Sequence, residues 1–191
     1  MFSLLTSSDI KRRDDKNRAK YVNTNHEAAP GRSRDPQDLF DFRWNEAPHQ
    51  YKGCVLTPGS IYGPFWLDRQ PLRQDIRAGE RGIYLRLAMQ VIDYSTCKPL
   101  PGAQVDIWHA NSLGQYSSKE YGFLRGWQPT SAHGTVDFDT NFPGHYFDRA
   151  SHIHVLVRTG NNKHAFSVGQ IYVDQDIRDA VEVRFLALLA E

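Results

Sequence analysis

The sequence is poor in the features that would set a chain apart from ordinary globular proteins. It holds two cysteines, Cys54 and Cys97, in 191 residues. That excludes a disulfide-dense miniature scaffold, and two residues alone do not choose between one bridge and two buried thiols. No apolar run approaches the roughly 20 residues that span a bilayer. Neither sign of charge dominates: 23 basic and 22 acidic residues leave a formal net charge of +1. No global field therefore draws nucleic acid or a membrane surface, and neither is expected as a partner. No repeat of solenoid period is visible. Met1 to Leu5 is apolar but too short for the roughly 7–15-residue apolar core of a secretory signal, and charges follow at once. On this reading the protein is intracellular, or its signal is absent from this chain.

What is present is the composition of a folded domain, 40% hydrophobic and 24% charged. Residues 1–50 read as a weakly structured segment. Lys11, Arg12, Arg13, Asp14, Asp15, Lys16, Arg18 and Lys20 crowd a stretch with little apolar surface to offset the entropy of ordering. Pro30, Gly31 and Pro36 add turn signals. From Tyr51 the pattern becomes strand, turn, strand. Tyr84 to Asp93, Ala103 to His109, Gly134 to Asp139, His152 to Arg158 and Ala165 to Val173 alternate or run apolar between Gly and Pro turns. Such short strands predict a mainly β fold, an antiparallel β-sandwich over 51–176. The end differs. Ile177, Val181, Phe185 and Leu188 recur at three-to-four spacing, which predicts one amphipathic helix over 177–191.

The chemistry concentrates in the second half. In His152-Ile153-His154, side chains at i and i+2 of a strand share a face, so two imidazoles can meet one ion. Imidazole suits zinc, copper, iron and nickel. The cysteines do not cluster with these histidines. Carboxylates nearby in sequence are Asp106, Asp137, Asp139 and Asp148. Two tyrosines, Tyr116 and Tyr146, follow glycine-containing turns. Spacing alone does not select tyrosinate over carboxylate. It leaves open a zinc site built from His152, His154 and an acid.

Several segments resemble one family in order. Pro101 to Ser117 (PGAQVDIWHANSLGQYS) and Pro143 to Val155 (PGHYFDRASHIHV) are similar to the two ligand blocks of intradiol ring-cleavage dioxygenases, which include catechol 1,2- and protocatechuate 3,4-dioxygenases. Phe123 to Thr130 and Gly134 to Gly144 fit the intervening strand and turn. Cys54 to Pro64, Leu72 to Ile76 and Gly169 to Asp176 are similar to the fungal, often secreted branch. The resemblance implies one Fe(3+) per chain. It implies a catechol-type substrate, and O2 inserted between the two hydroxylated carbons to give a cis,cis-muconate-type diacid. It makes Tyr116, Tyr146, His152 and His154 the metal ligands, with Tyr146 the axial tyrosinate that departs when substrate binds. Arg149 becomes the arginine beside the substrate and Gln170 the glutamine behind the ligands. The chemistry is coherent: a phenol ionises when bound to a strongly charged cation. Two tyrosinates and a hydroxide then cancel three positive charges, so the centre can be buried.

The resemblance also has consequences at its margins. Cys54 and Cys97 match paired positions of secreted members, which implies a disulfide and favours an extracellular protein; cytoplasmic is the alternative. Where the family commonly reads Glu-Gly-Pro-Tyr, this chain has Tyr62-Gly63-Pro64-Phe65-Trp66. Tyr62, Trp66 and His109 are the candidate pocket residues. The changed loop motivates an alternative, a non-catalytic β-sandwich module that binds a phenol or a metal. The oligomeric state is left open, a homodimer being one option.

Overall fold

Alternation of side chains along each strand decides which face meets the core. The computed structural model describes residues 59–96, 98–118, 122–159 and 167–189, with side chains up to 185. The expectations for residues 1–50 and for the Cys54–Cys97 pair lie outside the described residues. The strands are β1 (Tyr84–Gln90), β2 (Ile92–Asp93), β3 (Lys98–Pro99), β4 (Gln104–His109), β5 (Arg125–Pro129), β6 (Thr135–Asn141), β7 (His152–Arg158) and β8 (Ser167–Tyr172), followed by helix α1 (Gln175–Leu189). A four-stranded sheet runs β5-β4-β7-β8, and β1 pairs with β6. Every pairing between these strands is antiparallel.

The core lies between the two sheets. Val105, Ile107, Ile153, Val155 and Val157 of the larger sheet meet Met89, Val136 and Phe138 of the smaller, with Ile76 among them. The expected β-sandwich with a C-terminal helix is the fold observed. Several boundaries shift by one or two residues, and one strand is divided. The sequence reads Tyr84 to Asp93 as a single strand, yet pairing with β6 stops at Gln90. Val91 turns away because its N–H donates to Gly134 O (2.8 Å) and its carbonyl accepts from Leu100 N (2.9 Å). Gly134 has φ 69°, and a Cβ there would stand 2.6 Å from Val91 O, so glycine is required at the crossing.

The polar residues of β6 do not face solvent. Asp137 and Asp139 are buried because the segment around Gln74 and Asp75 crosses over them. Gln74 Nε2 and Arg86 Nε donate to Asp137 Oδ2 (3.1 and 2.9 Å), and Tyr84 OH donates to Asp139 Oδ1 (2.5 Å). In α1 the half-buried residues Ile177, Val181 and Phe185 recur every four positions, as the spacing predicts, while Val183 is exposed. Val181, Glu182 and Phe185 line a small cleft with Ile83, Phe142 and Pro143. His145 Nδ1 meets Glu182 Oε1 at 2.9 Å beside it.

Candidate metal centre

Because β7 alternates, Ile153, Val155 and Val157 enter the core while His152 and His154 point to the opposite face. That outer face is not free surface: the two histidines are 2% and 3% exposed. Strand register extends it into a row across the whole sheet, Arg125 beside Trp108, Trp108 beside His154, and His154 beside Gln170. Trp108 stacks on the His154 imidazole (centroids 4.8 Å apart, planes 2° apart) and fixes its ring. His152 pairs in register with Tyr172, whose ring lies 5.8 Å away.

Two turns bring the phenols. Tyr116 follows the turn after β4, held by Asn111, whose side-chain carbonyl accepts from the N–H groups of Leu113 and Gln115 (3.0 and 2.9 Å). Tyr146 follows β6, and its carbonyl accepts from Arg149 N (2.9 Å). The polar heads converge. Tyr116 OH is 3.3 Å from His152 Nε2, which is 3.2 Å from His154 Nε2. The Tyr146 ring is 5.7 Å from that of Tyr116 and 5.9 Å from that of His152. The structure thus brings together all four sequence-predicted ligands.

Their electrostatics suit a cation. His152 Nδ1 lies 2.6 Å from Ala150 O, so the proton belongs on Nδ1 and the Nε2 lone pair faces the centre. Burial lowers the His152 pKa, and burial with the neighbouring His152 brings His154 down to about 3, so both rings are neutral at ordinary pH. Burial, then Tyr146, raises the Tyr116 pKa, so that phenol keeps its proton until a positive charge arrives. Neutral imidazoles and ionisable phenols on one spot fit a hard, highly charged ion. The alternative of a zinc held by the histidines and an acid finds no support here. Among the described residues no group of three or more His, Cys, Asp or Glu comes together.

The remaining candidates divide. Arg149 Nη2 donates to Gln170 Oε1 (3.3 Å), and Tyr172 OH donates to the same oxygen. Arg149 and Gln170 are therefore one unit beside the candidate ligands, and Tyr172 belongs to it; nothing in its strand pattern marks it out. His109 lies behind the centre. It is buried, with Nδ1 2.8 Å from Ala110 O and Nε2 2.7 Å from Thr140 Oγ1. Tyr62 packs on Trp66 (5.0 Å), and Trp66 lies under the Arg158 guanidinium (5.7 Å), at the far end of β7 from His152. The aromatic of this loop that touches a candidate ligand is Phe65, stacked on Tyr116 at 4.3 Å and 8°. A run of aromatics in a loop carries no period, so sequence does not say which one meets Tyr116.

The family model described as Dioxygenase (Dioxygenase_C) matches residues 61–183. The chain belongs to the intradiol ring-cleavage dioxygenases. A solved intradiol ring-cleavage dioxygenase from Tetranychus urticae is 34% identical, with a TM-score of 0.63, over 68% of this chain and 71% of that one. A catechol 1,2-dioxygenase from Pseudomonas sp. (strain EST1001) is 38% identical over 83 residues, 41% of this chain. A chlorocatechol 1,2-dioxygenase from Rhodococcus opacus is 26% identical over 161 residues, 66% of this chain. The chain spans 27% and 62% of the lengths of these two curated relatives. For an intradiol dioxygenase the matched region is informative at both ends. It starts in the loop that carries Phe65 and runs into α1, so the loop and the first half of the helix belong to the family region.

Proposed function

We propose that this protein is a non-haem ferric enzyme, with one iron per chain. It opens a catechol-type ring between its hydroxylated carbons with O2, giving a cis,cis-muconate-type diacid. The observation that carries the reading is the meeting of Tyr116 OH, His152 Nε2 and His154 Nε2 within 3.2–3.3 Å, with Tyr146 alongside. Family membership supports the same reaction class. Tyr116, Tyr146, His152 and His154 would hold the metal. Ferric iron, when bound, would bind the catechol oxygens and supply the electronic coupling that lets the ring react with dioxygen.

The protein's own groups do the rest. The neutral imidazoles leave charge balance to the phenols. Tyr146 stands on a partly exposed turn, so it can swing aside and take one catechol proton at its Oη. Arg149, held by Gln170, presents a fixed positive charge to the anion that develops on the substrate. Phe65 walls one face of Tyr116.

The test is optical and respirometric. Iron-loaded protein should be red-brown from tyrosinate-to-iron charge transfer and should consume O2 with a catechol. Tyr146→Phe should change the colour and slow the reaction, whereas a passive phenol-binding module would keep its ligand affinity. A protein that stays colourless after loading with iron, and consumes no O2 with any catechol tried, would sink the proposal.

A further inference from the structure

Arg125 is one of the largest fully buried side chains, 1% exposed, and lies in the same transverse row as Trp108 and His154. Burying a guanidinium is costly unless a partner anion offsets it. Among the described residues no carboxylate reaches it. Its contacts are carbonyls: Phe65 O accepts from Nη1 and from Nη2 (3.3 Å each), and Ser117 O accepts from Nη2. Nε has no partner. The neighbouring charge is of like sign: burial, with Arg73 next, brings Arg125 down to about 10. Arg73 in turn donates from Nε and Nη2 to the Arg125 carbonyl (3.0 and 2.7 Å) and to Gly122 O, which pins the clamp's own backbone.

The two carbonyls are not arbitrary. Ser117 directly follows Tyr116. Phe65 carries the ring that stacks on Tyr116. One planar fork therefore reaches both the backbone beside Tyr116 and the loop that covers it, a span that the single ammonium of lysine does not reproduce. We propose that Arg125 is a positioning residue that locks the Phe65 loop and the Ser117 backbone on two sides of Tyr116, fixing where its phenol stands. The proposal rests on the reading of Tyr116 as a metal ligand only for its consequence at iron; the clamp itself is a property of the metal-free protein.

The experiment uses the full chain with Arg125→Lys and Arg125→Met. Hydrogen exchange in the metal-free protein reads the clamp directly. Amides of residues 61–67 and 115–118 should exchange about tenfold faster in Arg125→Lys, with those of β6 and β7 unchanged. After iron loading, the tyrosinate charge-transfer band should shift, more in Arg125→Met than in Arg125→Lys. Exchange in the two segments equal to the parent's would overturn the proposal, as would uniform loosening of every strand, which marks general support. Arg125→Lys decides alone if Arg125→Met fails to fold. If the parent protein takes up no iron, the iron reading fails while the exchange result still decides the clamp.

Discussion

The two faces of the β5-β4-β7-β8 sheet are built from alternate residues of the same strands, and the central residues of both are buried. The inner face carries Val105, Ile107, Ile153, Val155 and Val157. The outer carries Asp106, Trp108, His152, His154 and Arg125, each 3% exposed or less. The inner face is covered by the second sheet and is held by apolar area removed from water. The outer face is covered by the Phe65 loop and the two tyrosine turns. Polar heads there meet one another instead, as Tyr116 OH, His152 Nε2 and His154 Nε2 do. Burial alone does not separate stabilising from functional residues; the identity of the covering element does.

Neighbours in sequence should therefore fail in opposite ways. His154→Ala should abolish metal uptake and ring cleavage while leaving a folded protein, checked by metal analysis and circular dichroism. Ile153→Ala, one residue away on the inner face, should cost about 2–5 kcal/mol in urea unfolding and leave metal stoichiometry intact below its transition. If Ile153→Ala lost metal as fully as His154→Ala at temperatures where it is folded, the division between faces would be wrong.

The outer face also holds a charge without chemistry. Asp106 is fully buried; burial outweighs Arg158 (3.6 Å) and Gln104 (3.1 Å) and raises its pKa from 3.8 to about 6. The folded protein thus binds more protons than the unfolded one between these values, and this contribution to stability falls as pH rises from about 4 to about 6. Its size is on the order of 3 kcal/mol. Asp106→Asn removes the slope, so its stability relative to the parent should climb over that window and level off above it. Urea midpoints at half-unit pH steps would show this; a constant difference would refute it.

Much of this arrangement was legible in the residues. His152-Ile153-His154 declared two same-face imidazoles, and the period of β4 and β7 declared the sandwich. The pairing of Tyr116 and Tyr146 with those histidines was not legible from spacing, because the four lie on three elements joined only by register and turn geometry. The resemblance to a family supplied that link. The contact of Phe65 with Tyr116 is not legible, because a loop has no period from which to read direction. Arg125 does not stand out in the sequence, because an arginine in a short strand looks like a solvated one; its burial with no acid beside it among the described residues, visible in three dimensions, marks it.

The smallest effect tests the cover itself. Gly63 lies in the Phe65 loop with φ 73°, and a Cβ there would stand 3.3 Å from His154 Cε1. Gly63→Ala introduces left-handed strain of about 1–2 kcal/mol and a contact that must push either the loop or the ligand. The loop has the freer backbone, so it should yield. Stability should fall by about that amount, the charge-transfer band should move little, and KM for the catechol should rise more than kcat falls. A large band shift at unchanged KM would show instead that His154 is the softer partner. The outer face would then depend on its cover for ligand geometry, where the inner face depends on its cover only for stability.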